Sequence, residues 1–199
     1  MAKTVLNSRK RGDALVESIH DATKRLIQEV GYSNLTFQQI ADAAQTSRSV
    51  LYRRWPSLFD LLMDIVDDSF RGALHGELID RIEDTGSLRG DLLQLLALYQ
   101  SVFARIGPGI LGAVLFEIGQ GHHQIPAAEA DATAKNVRVM RKLLKQAVTR
   151  GDRIKQVGAS TLVLPFHLIR LANLMQKKVG SRQMSHLVDE ILLPVFTAP

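Results

Sequence analysis

Residues Gly31–Leu62 read GYSNLTFQQIADAAQTSRSVLYRRWPSLFDLL, and their order of stops, caps and apolar positions decides the fold. Before Gly31, Val16, Ile19, Leu26 and Val30 recur at helical spacing with Ala22 between them. A glycine at that point ends a helix, because it takes a left-handed conformation cheaply. Thr36 stands three residues before Gln39, the spacing of a capping box, and opens a second helix whose inward residues are Phe37, Ile40, Ala41 and Ala44. Ser47 is the next N-cap, so a short third helix runs from about Ser47 to Arg54. Pro56 interrupts, and Ser57 with Asp60 three residues later caps a fourth helix.

Two short helices joined by a tight turn and preceded by a longer one have the layout of a helix-turn-helix. In that arrangement the first short helix braces and the second enters the major groove of DNA. On the third helix Arg48 and Tyr52 stack at i, i+4 with Ser49 beside them. Leu51 lies on the other side and anchors the helix. Arginine can fork onto guanine O6 and N7. Hydroxyls and helix N-terminal amides bind phosphates, and Thr36 opens the bracing helix where such an end meets the backbone. The expected DNA-binding set is Thr36, Gln38, Ser47, Arg48, Ser49, Val50, Tyr52, Arg53 and Arg54. Within it Tyr52 reads either as a phosphate contact or as partly a core residue, and Arg53 and Arg54 cannot both face DNA. Trp55 reads as a packing anchor. Lys3, Arg9, Lys10 and Arg11 read as a flexible basic arm that adds salt-dependent attraction. The plainer alternative is a three-helix structural subdomain with solvated arginines.

This stretch resembles the N-terminal domain of the tetracycline-repressor (TetR) family of transcriptional regulators. Gly31, Thr36, Ile40, Ala41, Ala44, Ser47, Leu51, Tyr52, Trp55 and Leu61 match the family pattern. The resemblance implies an all-helical chain: a DNA-binding domain over residues 1–57 and a larger effector-binding and dimerisation domain over 58–199. Three positions depart from the pattern. Gln45 stands where the turn usually has glycine; if that position needs a positive φ, glutamine costs about 1 kcal/mol. Val50 stands where threonine is frequent and could pack on a thymine methyl. Leu58 replaces a lysine that contacts phosphate in the family.

Beyond residue 62 the chain continues to read as helices, about nine in all. The fourth carries an apolar stripe through Leu61, Leu62, Ile65, Phe70, Ala73 and Leu78. Others cover about 88–106, the region of Leu111–Ile118, about 127–150, 157–178 with a kink at Pro165, and 184–196. The resemblance implies an effector pocket, for which Phe70, Leu96, Tyr99, Phe103, Leu115, Phe116 and Met140 are candidates, though core packing explains most of them equally well. It also implies a homodimer with its seam on the last two helices, at Leu162, Phe166, Ile169, Leu187, Ile191 and Leu192.

Composition bounds the rest. Of 199 residues 46% are hydrophobic, enough for a sizeable core, and there is no cysteine, so disulfides, thiolate metal sites and cysteine nucleophiles are excluded. No signal peptide or membrane span is expected, which fits the cytoplasm. Formal charge is +4 over residues 1–57, −8 over 58–134 and +9 over 135–199. On the basic stretch from Lys135 to Lys155, Arg138, Arg141, Lys142 and Lys145 share one face opposite Val137, Met140, Leu144 and Val148. That pattern reads as an amphipathic helix with a solvated face, partly paired with the acidic fourth helix. Residues 107–112, GPGILG, match a dinucleotide-binding pattern, but the segment before them reads as a helix rather than a strand. His122 and His123 are adjacent and make a poor metal pair, and no catalytic constellation or cofactor site is apparent. The sequence therefore leads to a dimeric DNA-binding regulator, a repressor released from a palindromic operator by a small molecule. Its rivals are a ligand-binding module that has lost DNA binding, and a helical enzyme.

Overall fold

The structure is a computed structural model that describes residues 2–121, 125–175 and 179–198, with backbone alone for residues 2–11 and 125–129. Its described residues are helical, with one isolated antiparallel bridge between Ile154 and Thr197. The chain divides into two compact units. One holds residues 1–67 and 109–119; the other holds 68–108 and 120–199.

The first unit begins with α1 (Ala2–Val30). The segment expected as a flexible basic arm is instead the start of this helix. It contains no proline, and the single Gly12 costs a helix only about 1 kcal/mol. The side chains of Lys3, Arg9, Lys10 and Arg11 lie outside the described residues. Gly31 stops α1 at φ 76°, and a single 3-10 turn, Tyr32–Asn34, leads to α2 (Phe37–Ala43). Then come α3 (Arg48–Arg54) and α4 (Leu58–Leu74). The core of this unit is Ile19, Ala22, Ile27, Leu35, Phe37, Ile40, Ala41, Ala44, Leu51, Trp55, Leu61 and Leu62, all buried.

The stripe on α4 does not reach Leu78 in one helix. His75 takes φ 50° and Gly76 φ 152°, which ends α4 and sets a separate short helix, α5 (Leu78–Arg81). The centre of the second unit is α6 (Leu88–Ile106), capped by Ser87 accepting from the Gly90 N–H. Pro108 opens α7 (Pro108–Gly119) from the first turn, where its missing N–H is harmless, so GPGILG starts a helix and follows no strand. Next is α8 (Ile125–Thr149), and its buried face includes Val137, Val139, Met140, Leu143, Leu144 and Ala147. Val148, expected on that face, is exposed. Arg138, Arg141 and Lys145 are exposed. Lys142, however, donates to the carbonyls of Ile79 and Ile82 at 2.8 and 2.9 Å, capping the end of α5 rather than pairing with α4.

The expected helix over 157–178 is broken into α9 (Ala159–Leu162) and α10 (Leu164–Met175), with Pro165 in the first turn of the latter. The last helical run is α11 (Ser181–His186), a π turn over Leu187–Leu192, and α12 (Leu193–Phe196). Pro194 lacks the N–H that a regular helix would give to the Glu190 carbonyl, which accounts for the wider turn. His122 and His123 lie outside the described residues.

Candidate nucleic-acid interface

The bracing helix is held at its start by both halves of a capping box. The Thr36 hydroxyl accepts the Gln39 N–H at 3.3 Å, and the Gln39 side chain accepts the Thr36 N–H at 2.8 Å. Within α2, Asp42 accepts from the exposed amide of Gln38, four residues earlier, at 2.7 Å. The turn to α3 contains Gln45 at φ 52°. Position 45 therefore does need the left-handed conformation, and the chain adopts it without glycine. Gln45→Gly is expected to raise stability by up to about 1 kcal/mol, since glycine meets no Cβ clash there; a thermal melt with an unchanged or lower midpoint would count against this strain.

Ser47 takes the extended N-cap conformation of α3, but its hydroxyl faces that of Ser49 at 2.8 Å instead of capping an amide. The amides at the start of α3 thus keep no side-chain cap from Ser47. Ser47, Arg48, Ser49, Tyr52, Arg53 and Arg54 are exposed, while Val50 is half-buried. Leu51 is fully buried, so it pins the helix and leaves the polar face outward. The Tyr52 ring meets Phe37 edge-on at 4.7 Å, which bears on its packing reading, yet 55% of the residue remains exposed. The Arg54 guanidinium lies 5.2 Å from the centre of the Trp55 ring, which draws it away from the Arg48–Ser49–Tyr52 face. Leu58 is half-buried at the start of α4.

Trp55 is an anchor, as its aromatic bulk suggests, with 3% of its surface exposed. Its indole N–H donates to Asp64 Oδ2 at 3.1 Å. His20 Nε2 faces the same oxygen at 3.2 Å, and the two rings lie 6.0 Å apart. Ser57 and Asp60 cap α4 reciprocally: the Ser57 N–H and hydroxyl donate to Asp60 at 2.9 and 2.6 Å.

Residues 109–119 of α7 belong to this same unit, which the motif alone did not suggest. The Tyr32 hydroxyl donates to Glu117, and the Tyr32 ring meets Phe116 edge-on at 5.9 Å. A Cβ on Gly109 would come within 2.9 Å of Ile27 Cγ2, so that glycine permits the close approach of α7 to α1. Burial first, then the hydrogen bond and charge of Glu117, push the Tyr32 phenol well above its ordinary value, so it stays a donor at neutral pH. Tyr32→Phe is expected to lower stability by about 1.5–3 kcal/mol, the usual range for losing a hydrogen bond to a charged group. Urea denaturation checks this, and a loss below a few tenths would contradict it.

The expected pocket residues separate. Tyr99 is a hub in the second unit, edge-on to Phe70, Phe103 and Phe166 at 5.8, 5.4 and 5.0 Å. Leu96 and Met140 are buried in that unit. Leu115 and Phe116 lie on the part of α7 that belongs to the first unit. The expected dimer seam also needs correction. Leu162, Phe166, Ile169 and Leu192 are buried inside the protomer, where they have no surface to offer a partner. Leu187 is half-buried and Ile191 is exposed. The apolar residues left open on α10 are Leu171 and Met175, at 55% and 80% exposure.

Residues 19–63, which span the turn and both short helices, match the profile of bacterial regulatory proteins of the tetR family. That stretch carries the N-terminal domain of the family. It is 28% identical over 179 residues to an HTH-type transcriptional regulator of Mycobacterium bovis, covering 88% of this chain and 84% of that protein. The fold is shared with solved TetR-family structures. A regulatory protein from Rhodococcus RHA1 superposes with a TM-score of 0.69 at 15% identity, over 93% of this chain and 98% of that one. AibR, solved with isovaleryl coenzyme A and operator DNA, gives 0.62 at 18% identity, over 92% and 98%. These likenesses support a TetR-type transcriptional regulator with an N-terminal helix-turn-helix and a helical remainder. Among its described residues no single helix is long and apolar enough to cross a membrane.

Proposed function

We propose that the protein is a cytoplasmic transcriptional repressor that binds a palindromic operator as a homodimer and is released by a small-molecule effector. The observation that carries DNA reading is the exposed Arg48–Ser49–Tyr52 face of α3, mounted on buried Leu51 and Trp55. Ser47, Val50, Arg53 and Arg54 flank that face, and Thr36 and Gln38 stand at the amide-rich start of α2 where phosphate would lie. Gln45 favours this reading over a module that has lost DNA binding, since the turn keeps a positive φ despite the substitution.

A second copy supplies the other recognition helix. In a two-fold dimer the two helices enter successive major grooves about 34–36 Å apart, which requires a palindrome. On α10, Leu164, Leu168, Leu171 and Met175 repeat every three or four residues along a face that is half-buried or exposed. Met184, Leu187 and Ile191 do the same on the final helical run. These residues, rather than the buried ones, form the proposed seam. The effector site is placed around Phe70, Leu96, Tyr99, Phe103 and Met140, and the acyl-CoA found in AibR supports a ligand-responsive reading of such a domain. A ligand that favours one spacing of the paired DNA-binding units over the other would release the operator.

The test is enrichment of duplexes from a random-sequence pool, followed by sedimentation of protein and complex. The expected result is a palindromic consensus bound by a dimer, with Leu171→Glu together with Met175→Glu shifting the protein to monomer and lowering affinity at least tenfold. A consensus without two-fold symmetry, or a wild-type monomer on the enriched duplex, would refute the dimer reading.

A further inference from the structure

α3 is seven residues long, Arg48–Arg54, about 10 Å from end to end. A helix that short, held by apolar packing at Leu51 and by the ring contact of Tyr52 with Phe37, can still tilt or slide on its base. Tilting it by about 15° would carry Arg48 roughly 2–3 Å, several times the tolerance of a good hydrogen bond. Something directional must therefore fix its exit.

The exit residue is Trp55, whose backbone N–H closes the helix on the Leu51 carbonyl at 2.8 Å. Packing alone would be satisfied by any aromatic ring. Here the indole N–H is also aimed at Asp64 Oδ2 on α4, at 3.1 Å. The same oxygen stands 3.2 Å from His20 Nε2 on α1. His20 is 5% exposed, and the Asp64 side chain 27%, so the junction is shielded but the carboxylate keeps some solvent. One oxygen thus joins three elements: the brace behind the motif, the end of the recognition helix and the helix that follows it. Indole N–H groups seek a partner when buried, and such a bond fixes direction where dispersion does not.

We propose that Asp64 is a positioning residue for DNA recognition, fixing the orientation of α3 through the Trp55 indole with His20 holding the carboxylate in place. This rests on the reading of α3 as the DNA-reading helix. Removing a negative charge from a DNA-binding unit should, by electrostatics alone, tighten binding to any duplex. Loss of positioning does the opposite, and only for the sequence that α3 reads.

The test uses the full chain and duplexes enriched by the wild-type protein, each compared with a scrambled duplex of equal length. Asp64→Ala and Trp55→Phe should each weaken the enriched duplex at least tenfold, with the scrambled one changed less than threefold. Trp55→Phe keeps the ring and deletes the donor, so it covers the case in which the alanine variant folds poorly. Asp64→Asn retains an acceptor for the indole and should bind the enriched duplex within about threefold of wild type. Trp55 is the single tryptophan, so its emission should shift in Asp64→Ala and stay near wild type in Asp64→Asn. Wild-type affinity in both Asp64→Ala and Trp55→Phe, or equal losses on both duplexes, would overturn the proposal. Failure of the wild-type protein to enrich any duplex would overturn the reading of α3, and this proposal with it; enrichment followed by normal variants overturns this proposal alone.

Discussion

Asp91→Ala is expected to cost the chain about 3–5 kcal/mol of folding stability, the range for removing one partner of a buried ion pair. Asp91 is 0% exposed on the first turn of α6. One of its oxygens accepts the N–H and hydroxyl of Thr85 at 2.8 and 2.7 Å. The other accepts from Arg150 Nη2 at 2.7 Å. Arg150, at the end of α8, also donates to Asp84, and its side chain is 17% exposed. The carboxylate therefore organises the turn before α6 and ties it to α8 at once. Alanine leaves the Thr85 amide and a shielded guanidinium without this partner, and desolvation of those groups is what makes the loss large. Asp91→Asn keeps an acceptor for Thr85 and should lose roughly half as much. Urea unfolding followed by circular dichroism measures both; a cost below about 1 kcal/mol for the alanine variant would mean that water replaces the carboxylate readily.

Arg48→Ala is expected to weaken the enriched duplex by about 10–100-fold, the equivalent of one bidentate contact worth about 1–3 kcal/mol. Arg48 is the first residue of α3, exposed and unencumbered by an aromatic platform such as the one that Trp55 gives Arg54. Its loss should fall mainly on sequence preference, because a base contact vanishes along with one positive charge. Affinity for a scrambled duplex should drop only by the few-fold that one phosphate contact supplies, and less as salt rises. Tyr52→Phe is milder by design: the edge-on contact with Phe37 survives and only the hydroxyl is lost. Fluorescence anisotropy on both duplexes at two salt concentrations separates these effects. Full affinity in both variants would place the reading face on another helix.

How much of this was legible in the sequence depends on the range of each interaction. Thr36 with Gln39, Ser57 with Asp60, and Gly31 are local devices, and each does in the structure what its spacing predicts. Gln45 is the sharper case: the family resemblance located a turn position and the backbone there does take a positive φ. Ser47 has the right residue type and backbone, yet its hydroxyl turns to Ser49, since two neighbouring hydroxyls compete with the cap. Long-range partners left no local mark. His20 and Asp64 are 44 residues apart, and Tyr32 and Glu117 are 85 apart. The expected stripe on α1 omitted His20 and Thr23, both buried, because polar residues do not register in an apolar pattern. α10 failed differently. It is apolar on most of its surface, so periodicity could not tell the side that meets Tyr99 from the side left open at Leu171 and Met175.

The most direct test of α3 as a major-groove reader is methylation interference on an enriched duplex. Methyl groups at guanine N7 block the major groove and those at adenine N3 block the minor groove. Interference is expected at guanine N7 in two clusters about one helical turn apart, with loss of a guanine from each cluster in Arg48→Ala. Interference confined to adenine N3, or N7 clusters unchanged in the Arg48 variant, would contradict it.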